Sequence, residues 1–386
     1  MKDDSEHANQ LYLALKNGIA KFPGCERLLG IRIERSQVEP LRVEQTERVA
    51  SAFYDAICKR LSAGDPPDLA FVIYSKEPTL DAESDPYPAA KAAFALHGVP
   101  SQYVSWELLN SEQQFKYAVS NVALSCFVKL GGVPWGVKQA RGAPTLVIGI
   151  GHAEFTDPNA GGRQRLAGFA TSVLSNGVYV QTEFFPPSAR YDEFIGTLRN
   201  GLAGALSAAL SSTGSVERVT FHISQLEKRE MTVAIRDTIA KYENETGNPI
   251  PFEIVRLNQH SDFVVYDFSD PGYVSEEGTV VMLGNERSLL VTEGRRERDV
   301  WRGRKPVAVE LQRTYCSSPM EMRSTIEDAF ALSSVNWRGF NAVTQPVTLQ
   351  YAGLLASLVG KMSRYLPEIG NLMTSKKEFH RVPWFI

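Results

Sequence analysis

Cys126–Phe155 reads CFVKLGGVPWGVKQARGAPTLVIGIGHAEF, and the reading of the whole chain turns on it. It closes an amphipathic segment, sets Lys129 ahead of a Gly131-Gly132 turn and makes a corner at Pro134-Trp135. The apolar run Leu146–Ile150 that follows has the composition of a buried central strand. A joint between two halves of the molecule is expected here.

The chain has 386 residues, enough for two domains, each with a sizeable core. Its formal charge of −3 is not that of a dedicated non-specific nucleic-acid binder, which is usually basic. Any such interface must rest on local charge. Cys25, Cys58, Cys126 and Cys316 lie far apart, as buried thiols of a reducing compartment do, and not as a disulfide frame or a zinc site. The six histidines form no H-E-x-x-H or other close-paired ligand pattern. The acidic start, MKDDSEHANQ, is no secretory signal, and no apolar run approaches the ~20 residues of a membrane span. A cytoplasmic protein without membrane contact is expected.

Upstream of the joint, Ile31 and Ile33 alternate with charged neighbours as in a short strand. Val49, Phe53, Ile57 and Leu61 recur every fourth residue, which predicts a helix over 47–61. Gly64-Asp65-Pro66-Pro67 stops it, and Leu69–Tyr74 reads as a buried strand. Asp85 can cap a helix whose first turn holds Pro86 and Pro88. That helix runs to about Leu96, and a strand begins at Ser101. Strand, helix, strand, helix is a Rossmann-like α/β unit. Tyr87 and Lys91 share one face near the helix start, a place that favours an anion. Taken alone, a Tyr-x-x-x-Lys pair is most often simply solvated.

Downstream, Thr145–Ile150, Arg165–Leu174 and Val178–Glu183 read as three strands, with a tight hairpin at Ser175-Asn176-Gly177. A helix (Glu193–Leu210), a strand (Arg218–Ile223), a helix (Arg229–Glu245) and a strand (Phe252–Arg256) follow. This order matches the start of an RNase H-like fold. Between Asp262 and Leu311 short β runs alternate with Gly and charge. There Arg295, Arg296, Arg298, Arg302, Arg304 and Lys305 surround Trp301, a pattern that suits a phosphate backbone and a solvated hairpin equally. Ser318-Pro319 has the form of a helix start, and Pro346-Val347 opens an apolar helix to about Leu366. The terminal Pro383-Trp384-Phe385-Ile386 is costly to leave in water and is expected to dock.

KLGGVPW followed by TLVIGIG resembles the junction between the MID and PIWI domains of Argonaute proteins. NWRGFNAVTQPVTLQYAGLLASLVGKMSRYL, ending in VPWFI, resembles the closing segment of PIWI domains. The chain is similar to short prokaryotic Argonautes of the MID–PIWI type, above all the short archaeal Piwi proteins. The resemblance implies a Rossmann-like MID domain over 1–135 and an RNase H-like PIWI domain over 136–386. It implies that Tyr87, Lys91, Gln102 and Lys129 hold the 5′-phosphate of a guide strand, RNA or DNA. Asn121 would contact the first guide nucleotide and Arg338 the guide phosphates. It further implies a divalent cation, Mg²⁺ or Mn²⁺, held at that phosphate by Gln102 and the terminal carboxylate of Ile386.

The sequence departs from slicing Argonautes where they carry catalytic carboxylates. Gly151 and Ser224 stand at two of those positions, and Ser334 at a third by a looser match. Two-metal hydrolysis needs the carboxylates together, so a catalytically inactive protein is expected. The N and PAZ domains of long Argonautes have no counterpart in this sequence. That leads to an expected partner protein supplying an N-terminal lobe or an effector, with a homodimer as the alternative. The implied role is recognition of a complementary nucleic acid, most simply DNA, in defence against plasmids or phage. The rival readings are a guide-directed endonuclease with a non-standard site and an α/β protein that binds a small phosphate. No G-x-S-x-G, Walker A or G-x-G-x-x-G stands in a suitable context for the last.

Overall fold

The computed structural model describes residues 4–34, 39–43, 49–75, 85–138, 144–157, 163–188, 190–213, 216–224, 229–295, 307–340, 343–376 and 378–386. It opens with three helices, α1 (Asp4–Asn17), α2 (Cys25–Leu29) and α3 (Val49–Ser62). Helix α1, which the polar N-terminus did not announce, buries Leu11, Ala14 and Leu15 against Phe115 and Val119 further along the chain. Gly30 ends α2 in the left-handed region, φ 72°, where a β-carbon would be strained. Ile31 and Ile33 form no strand; they lie half-buried on this same core. Their alternation reflects one-sided burial of extended chain, not ladder pairing.

Strand β1 (Ala70–Tyr74), helix α4 (Pro86–Leu96) and strand β2 (Ser101–Ser105) make a parallel βαβ unit, with Ala70 opposite Ser101 and Tyr74 opposite Ser105. Asp85 caps α4 as its position predicts, accepting the Tyr87 amide at 2.9 Å and the Tyr74 hydroxyl at 2.9 Å. Ala89, Ala90, Ala92, Ala93 and Ala95 are all buried. Small side chains on every face let α3 pack on one side of α4 and later elements on the other. Ser105 and Ser111 cap the next helices, α5 (Trp106–Asn110) and α6 (Glu112–Lys129).

The remainder is built on an eight-stranded sheet. Its first five strands are β3 (Leu146–Asp157), β4 (Arg163–Leu174), β5 (Tyr179–Ser188), β6 (Val219–Ser224) and β7 (Phe252–Asn258). Strands β8 (Val280–Gly284), β9 (Arg287–Glu293) and β10 (Val307–Cys316) complete it in the spatial order β5-β4-β3-β6-β7-β10-β9-β8. Three antiparallel strands joined to two parallel ones, β3 to β6 and β6 to β7, give the mixed RNase H-like sheet. Gly177 takes φ 89° in the turn between β4 and β5. Leu146, Ile148 and Ile150 point into the core beneath α7 (Tyr191–Thr213) and α8 (Arg229–Thr246), the period-two alternation of a strand buried on both sides.

Helix α9 (Met322–Ser333) starts three residues after Pro319, with Glu321 at its N-cap. The expected start at Ser318-Pro319 is therefore wrong. Those residues are engaged elsewhere: Ser317 Oγ accepts the Phe252 amide at 2.9 Å, and the Ser318 carbonyl accepts from Cys316 Sγ at 2.8 Å. Helix α10 (Val347–Met362) lies across β3 and is shorter than its apolar run. Two short helices, α11 (Ile369–Ser375) and α12 (Glu378–Arg381), bring the chain to its end. Glu253 on β7 is fully buried. It accepts from Arg313 Nε at 2.9 Å, from Thr325 at 2.8 Å and from Thr220 at 2.9 Å, which ties β6, β7, β10 and α9 together.

One apolar core crosses the joint. It takes in Ala92 and Ala95 of α4, Val128 of α6, Tyr351 and Leu355 of α10, and Trp384, Phe385 and Ile386. The terminal residues dock as expected: Trp384, Phe385 and Ile386 are all buried. Phe385 meets Tyr351 edge-on at 5.7 Å, and Trp384 packs on Phe379 at 4.9 Å. The His380 ring lies 3.0 Å from the Glu183 carboxylate, which fixes the segment to β5.

Candidate functional site

The Asp85 cap fixes the start of α4, so Tyr87 falls in its first turn and Lys91 one turn later. Lys129 is the last residue of α6, and Ser101 and Gln102 open β2. Three separate elements thus meet at one point. Lys91 Nζ donates to the Ser101 carbonyl at 2.6 Å, and Lys129 Nζ donates to the same carbonyl at 3.0 Å. Lys129 Nζ also donates to Gln102 Oε1 at 2.6 Å. Lys91 Nζ lies 5.8 Å from the centre of the Tyr87 ring.

Both lysines are buried, 4% and 3% exposed, where a long charged side chain is rarely found unpaired. Burial holds the Lys91 ammonium well below the ordinary lysine range, with Lys129 and Arg338 adding repulsion. Burial likewise lowers Lys129 to about 8, opposed by Cys126 and reinforced by Arg338. Burial pushes the Tyr87 phenol up, and Arg338 draws it partly back. Among the described residues, no Asp or Glu figures among the groups that perturb either lysine. The charged forms are held by one neutral carbonyl and one carboxamide, an arrangement that an entering anion would stabilise.

Asn121 stands on α6 eight residues before Lys129 and is half-buried. It faces Gly339, where a β-carbon would come within 3.4 Å of its Oδ1. The 336–340 loop therefore lies over the face of α6 that leads to the lysines. Arg338 is exposed on that loop, and its charge reaches Tyr87, Lys91 and Lys129. Trp337 anchors the loop from beneath, its Nε1 donating to the Trp135 carbonyl at 3.2 Å. Ile386 packs in the core that holds Ala92 and Val128, one residue from Lys91 and Lys129 respectively. Val382 also lies in contact range of the Gly131 turn, 3.8 Å from a β-carbon built there. Lys91, Gln102 and Lys129 thus meet with Tyr87 between α4, α6 and β2, the Arg338 charge reaches them, and Asn121 stands two turns back along α6. The Ser101 carbonyl, on which both ammoniums converge, was not foreseen; a backbone acceptor leaves no trace in side-chain pattern.

Gly151 and Ser224 each lie two residues beyond the paired Gly149 and His222 on the parallel strands β3 and β6. They therefore stand at one level on one face of the sheet, the face covered by α10. Ser334 is exposed at the end of α9. A β-carbon at Gly151 would come to 2.5 Å from the Phe169 ring and 2.8 Å from the Ala352 methyl. Beside them His222 is fully buried, its Nδ1 2.8 Å from Thr348 Oγ1. Among the described residues no group of three or more His, Cys, Asp or Glu side chains is gathered to hold a metal. No helix among them is long and apolar enough to cross a membrane. Of the basic cluster around Trp301, residues 296–306 lie outside the described residues. Arg295 is paired with Glu276 at 2.9 Å and lies near Asp267 and Asp270.

The model of the Piwi domain matches residues 79–364, a range that carries both the lysine pair and the eight-stranded sheet. The chain belongs to the Piwi family. It is 24% identical over 88% of its length to a Protein argonaute of Cereibacter sphaeroides, 46% of which it covers. It is also 24% identical over 76% of its length to a Piwi protein of Archaeoglobus fulgidus, covering 70% of that protein. The Piwi-family chain thus spans less than half the length of the first of these relatives. Its fold is shared with Drosophila Piwi at a TM-score of 0.73 and 16% identity, over 99% of this chain and 49% of the other. It is shared too with Clostridium butyricum Argonaute in complex with a guide DNA and a 19-mer target DNA. There the TM-score is 0.70 at 17% identity, over 94% and 47% of the two chains.

Proposed function

We propose that this chain binds a guide strand by its 5′-phosphate, recognises a complementary nucleic acid by pairing, and does not cleave it. The observation that carries the reading is the pair of buried ammoniums on the Ser101 carbonyl, with no Asp or Glu of the described residues among the groups acting on them. Two like charges in a dry site repel and are poorly solvated. A phosphate placed between them supplies the missing counter-charge through charge-assisted hydrogen bonds. Tyr87 adds a donor, Gln102 holds Lys129 in place through its Oε1, and Arg338 and Asn121 extend the site along the strand. A solved relative of the same fold holds a guide DNA and a target DNA, which supports a nucleic acid as the owner of that phosphate. On this reading residues 1–135 act as the MID domain and 136–386 as the PIWI domain.

A divalent cation fits the donor set in part. Gln102 Oε1 and the Ile386 carboxylate are oxygen ligands of the kind Mg²⁺ and Mn²⁺ prefer. Gln102 Oε1 is engaged by Lys129, so a cation there shares that oxygen. When bound, the cation supplies further positive charge against the phosphate.

Inactivity is supported by Gly151 and Ser224, neither of which supplies a carboxylate for two-metal hydrolysis, and by the absence of space for a side chain at Gly151. A protein that recognises without cutting needs a means of reporting. The proposed role is a sensor coupled to a partner effector chain, with a homodimer as the alternative, in defence against plasmids or phage. The test is direct binding of short strands that differ only in a 5′-phosphate or a 5′-hydroxyl, in wild type and in Lys91→Ala. A phosphate preference of about one to two orders of magnitude that the variant loses is the expected result. Equal binding of both strands by wild type would overturn the reading. Isolation from the native host should bring down 5′-phosphorylated short strands and a second polypeptide.

A further inference from the structure

Phe340 is a large aromatic side chain left 56% exposed, on the loop whose Arg338 charge reaches the buried lysine pair. One face of its ring stacks on Trp135, with centroids 5.6 Å apart and planes at 25°. With that face covered and more than half of the residue still accessible, the opposite face opens to solvent. The platform is held rigidly. Trp135 is fixed through its carbonyl by Trp337 Nε1 at 3.2 Å, and Trp337 is itself buried at 2% exposure. The Trp337 amide in turn donates to the Tyr351 hydroxyl at 3.3 Å. Gly339, the residue next to Phe340, lies against Asn121. Asn121 stands eight residues before Lys129 on α6, which is about 12 Å along the helix.

From this geometry we infer that the open face of Phe340, backed by Trp135, stacks a nucleobase within the first few nucleotides of the bound strand. The inference rests on the reading of the lysine pair as a 5′-phosphate site. The chemistry is that of single-strand binding surfaces, in which a cationic track holds phosphates and an aromatic face takes a base without regard to its identity. Here Arg338, two residues away and exposed, supplies the cation. The exposed ring supplies the face. A π-face reads no hydrogen-bond edge, so the platform orders the strand without selecting a sequence. The Lys91, Lys129 and Tyr87 cluster fixes the terminus, and Phe340 fixes the direction in which the strand leaves it.

The experiment compares wild type, Phe340→Ala and Phe340→Trp on a short 5′-phosphorylated oligonucleotide, and on the same strand with an abasic site at each of its first few positions. Phe340→Ala should weaken the intact strand about tenfold. One abasic position should weaken wild type by a similar factor and leave Phe340→Ala unaffected. Phe340→Trp should bind as wild type does. The preference for a 5′-phosphate over a 5′-hydroxyl should be the same in all three, which separates loss of stacking from damage to the pocket. If Phe340→Ala binds the intact strand as well as wild type, or if every abasic position weakens both proteins alike, the platform is refuted. If wild type shows no phosphate preference but the abasic position still couples to Phe340, the pocket reading fails and the platform stands.

Discussion

Lys129→Met removes one of the two buried charges while keeping most of the aliphatic stem. Burial lowers the Lys129 pKa from 10.5 to about 8. A folded-state pKa below that of the unfolded chain means that the fold disfavours the charged form. The penalty is complete below pH 8 and fades as pH rises from 8 toward 10.5. At about 1.4 kcal/mol per pKa unit, the depression by roughly two and a half units corresponds to about 3 kcal/mol at neutral pH. Part of that is offset in the variant, because Ser101 and Gln102 lose a donor. Ligand-free Lys129→Met should therefore be as stable as wild type or more stable, by up to about 2 kcal/mol. Binding should move the other way. One charge-assisted contact contributes roughly 1.5–3 kcal/mol, so the 5′-phosphorylated strand should bind about ten- to a hundredfold more weakly. Chemical denaturation of the free protein at pH 7.5 and titration with matched 5′-phosphate and 5′-hydroxyl strands measure the two effects. A variant that is clearly less stable and keeps its phosphate preference would show that Lys129 serves the fold and not a ligand.

Gly151→Asp should not confer cleavage in Mg²⁺ or Mn²⁺, and it should lower stability by about 1–3 kcal/mol through its clash with Phe169 and Ala352; a labelled target strand and a thermal melt test both points. Wild type, too, should leave the target intact. Burial lowers His222 to about 3, so the fold excludes the imidazolium and its stabilising contribution is present above pH 6.5. It should be lost as pH falls, by roughly 3 kcal/mol at pH 4.5, and urea denaturation of His222→Gln should show a flatter acid limb than wild type. Glu253→Ala removes the buried carboxylate that Arg313 and Arg218 share, leaving them Glu286 and Asp328, and should cost at most about 3–5 kcal/mol, whereas Glu253→Gln, which keeps hydrogen-bond acceptance, should cost less; denaturant midpoints distinguish them. A tag appended beyond Ile386 should weaken 5′-phosphorylated strands, and chelation of divalent ions should have the same effect; equal affinity in all three conditions would exclude the terminal carboxylate from the site.

Local chemistry made much of the fold legible. The Asp85 cap with its early prolines, the Ser-Asn-Gly turn and the period-two runs of β3 and β4 are determined by neighbours in sequence, and the structure keeps them. Where the reading failed, a distant partner had intervened. Ile31 and Ile33 alternate because one side meets the core that α1 and α6 build, and Ser318-Pro319 does not start a helix because Ser317 and Ser318 are tied to Phe252 and Cys316. The candidate site divides in the same way. Local pattern put Tyr87 and Lys91 on one face near a helix N-terminus, where an anion is favoured, and the resemblance to Argonautes added Gln102 and Lys129. No local rule could show that both lysines would be buried, or that they would share one backbone carbonyl. Those facts depend on α10 and the last three residues closing over α4 and α6. Hydrophobic burial across hundreds of residues removes the water that would otherwise solvate the two ammoniums, which is why both lysines fall below their ordinary pKa.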